Sequence, residues 1–165
     1  MDERPQEALV SRAHHLAGAI YGTILATTVV AGAGHDPDVI DRTAVIVAGT
    51  SVVFWVAHVY SLWVAARLVL ARPLDRGEIA SVAISEWPML QSSWPILLAL
   101  GLGAAGVLDR RTAVDLAMLV GIGALFAYGA LIGRREHGGW PRVLLNALVC
   151  GAFGLAILAL KVLVH

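Results

Sequence analysis

Charged side chains and cysteine are both scarce in this 165-residue chain. Only 15% of the residues are charged and 58% are apolar, whereas an average soluble domain is roughly one quarter charged and about half apolar. The polar residues are therefore too few to cover a soluble domain. Cys150 stands alone, which excludes an intramolecular disulfide and a metal site built on cysteine pairs. Twelve basic and twelve acidic residues cancel, and the zero net charge argues against nucleic acid as a partner.

The charges leave five long windows empty, each of 18 to 24 residues. At ~1.5 Å per residue such a window forms ~27–36 Å of helix, enough to cross a hydrocarbon core of ~30 Å. Backbone groups in lipid must bond internally, so the windows predict helices. We predict a single all-α integral membrane domain over residues 1–165, a polytopic bundle with five transmembrane helices at about 14–34, 43–66, 87–108, 112–133 and 142–163.

The basic residues predict the orientation of this bundle. With five spans, the side that holds the N-terminus carries eight basic residues, namely Arg4, Arg12, Arg67, Arg72, Arg76, Arg134, Arg135 and Arg142. The opposite side carries four, namely Arg42, Arg110, Arg111 and Lys161. Because cytoplasmic loops are enriched in Lys and Arg, we expect the N-terminus inside and the chain in the plasma (inner) membrane.

Two segments need separate interpretations. The first window ends in Ala31-Gly32-Ala33, which has the small-x-small form of a signal-peptidase site. A retained helix is favoured because the apolar stretch is longer than the apolar core of a usual signal peptide, while cleavage would leave four helices. In the 77–91 segment, apolar residues recur on one helical face, which predicts a short helix in the cytoplasmic interface. Pro95 is expected to kink the third span.

His58 is an ionisable residue that lies well inside the predicted helix two, about nine residues or ~13 Å from Arg67 by helix rise. A titratable group at such depth suggests a proton relay or a group that lines a pore. The alternative is a neutral imidazole bonded to a hydroxyl of a neighbouring helix. His14 and His15 lie at the mouth of helix one, ~9 Å or more from the depth of His58. A metal or haem shared between these levels is therefore not expected.

Glu86 and Asn146 are the other polar candidates within or beside the spans. Glu86 precedes Trp87-Pro88, so it either faces a cytoplasmic vestibule that attracts cations or is solvated among the headgroups. The flanking tryptophan favours the solvated position. Asn146 begins an i, i+4 stripe on helix five, and we expect that face to point into the bundle as a structural contact.

Small residues predict where helices approach closely. The stretch Gly101-Leu102-Gly103-Ala104-Ala105-Gly106 has the spelling of a dinucleotide-binding loop, but it lies inside an apolar helix and follows no strand. We interpret it as a packing face. Glycines at four-residue spacing offer the same device in helices one and four. The candidate packing residues are Gly18, Gly22, Gly101, Gly129 and Gly133.

Two patches carry a family resemblance: Ile20-Tyr21-Gly22-Thr23, and the segment from Phe54 to Tyr60. They resemble uncharacterised small multi-pass integral membrane proteins of high-GC bacteria, over about the first half of the chain. Phe54-Trp55-x-x-His58 is also similar to the second helix of TMEM-type potassium channels. Those channels carry Phe-Ser-Asp-Gly in helix one, whereas this chain reads Ala19-Ile20-Tyr21-Gly22-Thr23-Ile24, without Ser-Asp.

Two function classes follow. The favoured one is a non-enzymatic membrane component that packs or oligomerises through small-residue helix faces, in contact with lipid and with a second copy or another membrane protein. The alternative is a small ion or proton channel or transporter with His58 near the conduction path. Neither a nucleophile–base pair nor a metal-ligand set is visible, so we expect no enzymatic activity and no cofactor.

Overall fold

The computed structural model of the chain describes residues 4–33, 40–135 and 139–164. This part of the chain forms seven helices and contains no strand, which confirms the all-α fold class. In chain order the helices are α1 (Arg4–Gly32), α2 (Ile40–Leu70), α3 (Arg76–Ser85), α4 (Trp87–Gln91), α5 (Trp94–Ala104), α6 (Arg110–Arg135) and α7 (Gly139–Val164).

Four of these helices are long and apolar enough to cross a membrane: Ala13–Gly32 within α1, then α2, α6, and Gly139–Leu160 within α7. Only 11% to 33% of each apolar window is buried inside the protein. Large apolar side chains such as Val53, Leu98 and Leu144 are 60% to 67% exposed. An outward-facing apolar surface of this extent is expected of a helix bundle that is covered by lipid rather than water.

The predicted third span is not one helix. The 87–108 segment forms α4 and α5, each with a proline in its first turn, separated by a turn at Ser92 and Ser93. Proline lacks a backbone N–H, so it starts a helix readily and interrupts one that is already running. Gly106 then closes α5 at φ +74°, with Val107 N–H bonded to Leu102 O at 2.9 Å. The described residues therefore contain four long apolar helices, and α5 alone, at ~16 Å, is too short to span.

The helix predicted at 77–91 is divided at Glu86 into α3 and α4. Asp75 caps α3, since its carboxylate accepts from Glu78 N–H while Glu78 accepts from Asp75 N–H. Hydrogen bonds from the Arg72 guanidinium and from the backbone N–H of Asp75 lower the pKa of Glu78 to about 2. The start of α3 is thus fixed by charged groups, and its end lies at Glu86.

The helices define two ends of the bundle. At the end where α1 stops at Gly32 (the Gly32 end), a Cβ on Gly103 would overlap Ile40 and Ala113, so α5 ends where α2 and α6 begin. The hydrophobic core lies between these elements and includes Val30, Ile40, Val47, Ile96 and Leu100. At the opposite end (the Leu70 end), α2 and α6 stop and α7 begins, because α7 runs antiparallel to α6.

The predicted packing glycines have different surroundings. A Cβ on Gly22 would overlap the backbone of Met89 in α4, and a Cβ on Gly129 or Gly133 would overlap the backbone of α7. Gly18 is in ordinary contact with α4, since its Cβ would lie 3.7 Å from Met89. A Cβ on Gly101 would meet nothing within 4 Å among the described residues. That side of α5 therefore faces outward among the described residues, and packing at Gly101 stays a prediction.

Candidate functional site

Glu86 forms the turn between α3 and α4, and its position differs from the one that the sequence favoured. The residue is 1% exposed, so it is covered by protein rather than solvated among headgroups. Its backbone N–H still bonds to Val82 O at 3.2 Å, which makes it the last hydrogen-bonded residue of α3. The neighbouring Trp87 is 40% exposed and points away from the core. Sequence reasoning assigned Glu86 the environment of Trp87, although the two side chains leave the backbone in different directions.

The carboxylate of Glu86 joins two histidines from two other helices. His14 Nε2 of α1 is hydrogen-bonded to Glu86 Oε1, and His58 Nε2 of α2 lies 3.4 Å from Glu86 Oε2. The histidine side chains are 45% and 42% exposed, whereas the Glu86 side chain is 2% exposed. We call His14, His58 and Glu86 the Glu86 cluster. Its carboxylate is enclosed by protein, while its imidazoles reach the protein surface.

The three residues share one level because of their places in the helices. His14 precedes the end of α1 at Gly32 by 18 residues, and His58 follows the start of α2 at Ile40 by 18 residues. Glu86 precedes the end of α5 at Ala104 by the same number. At ~1.5 Å per residue each group lies up to ~27 Å from the Gly32 end. Three segments that meet at one end of the bundle therefore bring these side chains together.

The depth assigned to the histidines from the sequence was wrong for a geometric reason. The charge-free windows placed His14 at the mouth of helix one, separated from the level of His58. The helices extend beyond those windows, because α1 begins at Arg4 and α2 continues to Leu70. Counting from the end that α1 and α2 share would have placed the two histidines level. This count can be made from the sequence, but only if it is known that the end of α1 and the start of α2 lie together.

Aromatic residues hold α2 against α1 and α3 around the cluster. The Tyr21 and His58 rings lie 6.4 Å apart between centroids. Trp55 Nε1–H donates to Ala83 O at 3.3 Å, and its ring packs edge-to-face on Trp87 at 6.0 Å. Trp55 lies three residues before His58 on α2, so the same stretch of helix positions the histidine and fastens α3.

The cluster is suited to holding protons. A buried carboxylate is strongly disfavoured unless it is paired and hydrogen-bonded, and here both oxygens face an imidazole nitrogen. Each imidazole donates or accepts at Nε2 according to its protonation state, so the three groups can share a variable number of protons. Among the described residues, no group of three His, Cys, Asp or Glu side chains has the geometry to hold a metal ion.

The protein closes above the cluster toward the Gly32 end. Val30, Ile40, Val47 and Leu100 are fully buried there. Buried hydroxyls lie in the same region at Thr23 and Thr27 of α1 and at Ser51 of α2. Each donates to a carbonyl of its own helix. At this level the described part of the bundle thus has a packed apolar core that includes a few hydroxyls bonded within their own helices.

The remaining predicted polar residue, Asn146, belongs to a different contact. It lies half-buried on α7, where its backbone carbonyl faces Gly129 of α6. This contact places the Asn146 backbone at the close approach of α6 and α7. Comparison with known proteins finds no matching family model, no matching curated protein and no matching solved structure.

Proposed function

We propose that this chain is a small multi-pass membrane protein that translocates protons, with the Glu86 cluster as its proton-binding site. The observation that carries the proposal is the buried Glu86 carboxylate in contact with His14 and His58. Ionisable groups among membrane helices are costly and recur in the proton relays of pumps and transporters. The chain would then be a non-enzymatic transporter with His58 near the conduction path, which is the alternative function class derived from the sequence.

The position of Glu86 at a helix break couples proton binding to movement. With the carboxylate ionised and an imidazole protonated, opposite charges draw the α3–α4 turn onto α1 and α2. A proton on Glu86 removes that attraction and weakens the attachment of the turn. A second break at Ser92 and Ser93 allows α4 to move as a short rigid unit. Discontinuous helices of this kind carry the binding sites in many transporters.

The packing toward the Gly32 end favours a carrier over an open pore. Val30 and Leu100 are fully buried there, and a carrier in which the helices rearrange would move a proton past this packed region. The hydroxyls of Thr23 and Thr27 offer exchangeable protons along that route once their helix carbonyls release them. We place the open side of the cluster toward the cytoplasm, because the Leu70 end carries the larger share of the basic residues.

Proton flux into liposomes tests the proposal. Purified protein is reconstituted with a pH-sensitive dye inside, and a potassium diffusion potential drives proton entry. We expect dye acidification with the unaltered chain and none with Glu86→Gln, which keeps the side-chain shape and removes the titrating group. Glu78→Gln is the matched control, since Glu78 is a carboxylate on α3 that is bonded to Arg72 and lies outside the cluster.

Three results of this experiment decide between transport and structure. Flux that disappears in Glu86→Gln but persists in Glu78→Gln supports translocation through the cluster. Flux that is pH-dependent and weakened in His58→Ala supports a direct part for that histidine. Absence of flux at every pH and ion gradient, from protein that melts cooperatively, contradicts the proposal and favours a purely structural cluster.

A second candidate is a non-enzymatic membrane component that assembles through α5. One observation favours it: Gly101 lies in an outward-facing apolar groove of about 430 Å³, lined also by Trp94, Leu97, Leu98 and Leu102. A second copy or another membrane protein could pack against this groove as closely as glycine allows. Cross-linking in detergent tests it, since Gly101→Leu should abolish dimers without unfolding the chain. Persistence of the dimers in that variant contradicts assembly through this face.

A further inference from the structure

A groove between the end of α6 and the start of α7 is a second feature at the Leu70 end, separate from the Glu86 cluster. The last turn of α6 and the first turn of α7 enclose a groove of about 450 Å³, lined by Ala130, Gly133, Arg134, Gly139, Trp140 and Val143. Two glycines shape it. Gly133 brings α6 close to α7, because a Cβ there would lie 2.5 Å from Val143 Cα. Gly139 has φ +71°, a conformation that lets α7 begin abruptly beside the end of α6.

The groove combines an apolar wall with one lining arginine, Arg134, and two further arginines follow in the adjoining helical turns. Ala130 and Val143 contribute apolar surface, and Trp140 is 84% exposed, which is usual for a tryptophan at the level of lipid headgroups. Arg134 lines the groove, Arg135 follows it in the same helical turn, and Arg142 lies in the first turn of α7. Among the described side chains, no carboxylate pairs with any of these three arginines.

We propose that this groove binds the phosphate headgroup of an anionic phospholipid. The arginines match the negative charge of a phosphodiester, and a guanidinium can bind phosphate oxygens in bidentate fashion. The apolar wall accepts the first part of an acyl chain, and Trp140 borders the glycerol region. Basic pockets between helices at the cytoplasmic surface are where proteins bind such headgroups. The positive charge of these arginines argues against a zwitterionic lipid, whose own cation would be repelled.

Native mass spectrometry and thermal melting with added lipid test this proposal. The protein in detergent is titrated with phosphatidylglycerol, with phosphatidylcholine of the same acyl chains, and with soluble glycerol phosphate. We expect phosphatidylglycerol to stay bound and to raise the melting temperature, with a much smaller effect of the other two. Arg134→Gln and Arg142→Gln should each weaken phosphatidylglycerol binding about five-fold, the factor that corresponds to ~1 kcal/mol per arginine near a membrane surface.

Arg111→Gln is the matched control, because Arg111 is an exposed arginine in the first turn of the same helix at the opposite end of the bundle. Retention of phosphatidylglycerol binding in Arg111→Gln, with loss in Arg134→Gln and Arg142→Gln, supports the groove. Equal binding of the two lipids overturns the proposal, as does an equal loss in the control. Saturation by glycerol phosphate alone also overturns it, since the site would then bind a free anion. Proton flux plays no part in this measurement, so its outcome is independent of the proposed function.

Discussion

The contact between Gly22 and α4 makes the sharpest stability prediction, because it places two glycines of similar sequence context in opposite environments. We consider Gly22→Ala and Gly101→Ala, each the addition of one methyl group in the interior of an apolar helix. At Gly22 the new Cβ would lie 3.0 Å from the carbonyl carbon of Met89 and closer still to its oxygen. At Gly101 it would meet no described atom within 4 Å.

Both substitutions raise the helix propensity of their position, but only Gly22→Ala also forces two helices apart. Alanine in place of glycine stabilises a helix interior by about 1 kcal/mol, because the unfolded chain has less backbone freedom to lose. At Gly101 this gain stands alone. At Gly22 the methyl group presses on backbone atoms, which cannot rotate away as a side chain does, so α1 and α4 must separate. Overpacking of this kind costs roughly 1–3 kcal/mol. We therefore expect the free energy of unfolding to differ by about that amount between the variants.

Thermal melting in one detergent, followed by tryptophan fluorescence, measures the difference. For a chain of this length 1 kcal/mol corresponds to roughly 2–4 °C, so Gly101→Ala should melt at least a few degrees above Gly22→Ala. Met89 lies three residues after Glu86, so the Gly22 variant should also displace the cluster and reduce proton flux. Equal melting temperatures would show that α4 does not pack on Gly22, and the position argued for Glu86 would then lose its support.

Three further predictions concern other contacts. Arg72 lowers the pKa of Glu78 to about 2, so the ionised carboxylate contributes fully to stability above about pH 4.5 and loses this contribution as the pH falls toward 2. The melting temperatures of Glu78→Gln and the unaltered chain should therefore converge over that range. A constant difference between them would contradict the pairing. On α6, Gly129→Ala should unfold more easily by roughly 1–3 kcal/mol because its Cβ meets the α7 backbone, whereas Gly123→Ala, which meets nothing within 4 Å among the described residues, should not. Trp55→Phe removes the N–H bond to the α3 backbone and should lower the free energy of unfolding by about 0.5–1.5 kcal/mol. An unchanged melting temperature would show that this bond does not hold α2 against α3.

Periodicity and charge spacing determined the class of this protein. Helices of sufficient length follow from the charge-free windows, because only a continuous apolar helix satisfies backbone groups without water. Four long helices confirm this, at α1, α2, α6 and α7. From the sequence, Pro95 predicts a kink in a continuous span. The structure instead has two short helices, because Pro88 and Pro95 each start a new helix and Gly106 ends the second one.

The candidate site required tertiary information. The sequence indicates His58 by its depth, and it indicates Glu86 but favours a position among the headgroups for it. Nothing local to either residue specifies that they meet, since His58 lies on α2 and Glu86 follows the next loop and α3. Their contact depends on which helix ends coincide, and the core at Ile40, Gly103 and Ala113 sets this.

For the packing glycines too, the sequence determined one part of the answer and the tertiary structure another. The sequence alone determined that small residues allow helices to approach, and it identified Gly22, Gly129 and Gly133 as suitable positions. Only the tertiary structure decided that these three contact other helices of the same chain while Gly101 faces outward. The physical reason is that a glycine permits a close approach without choosing the partner. The partner is chosen by the packing of the whole bundle, which buries Glu86 between two histidines and leaves the α5 groove open.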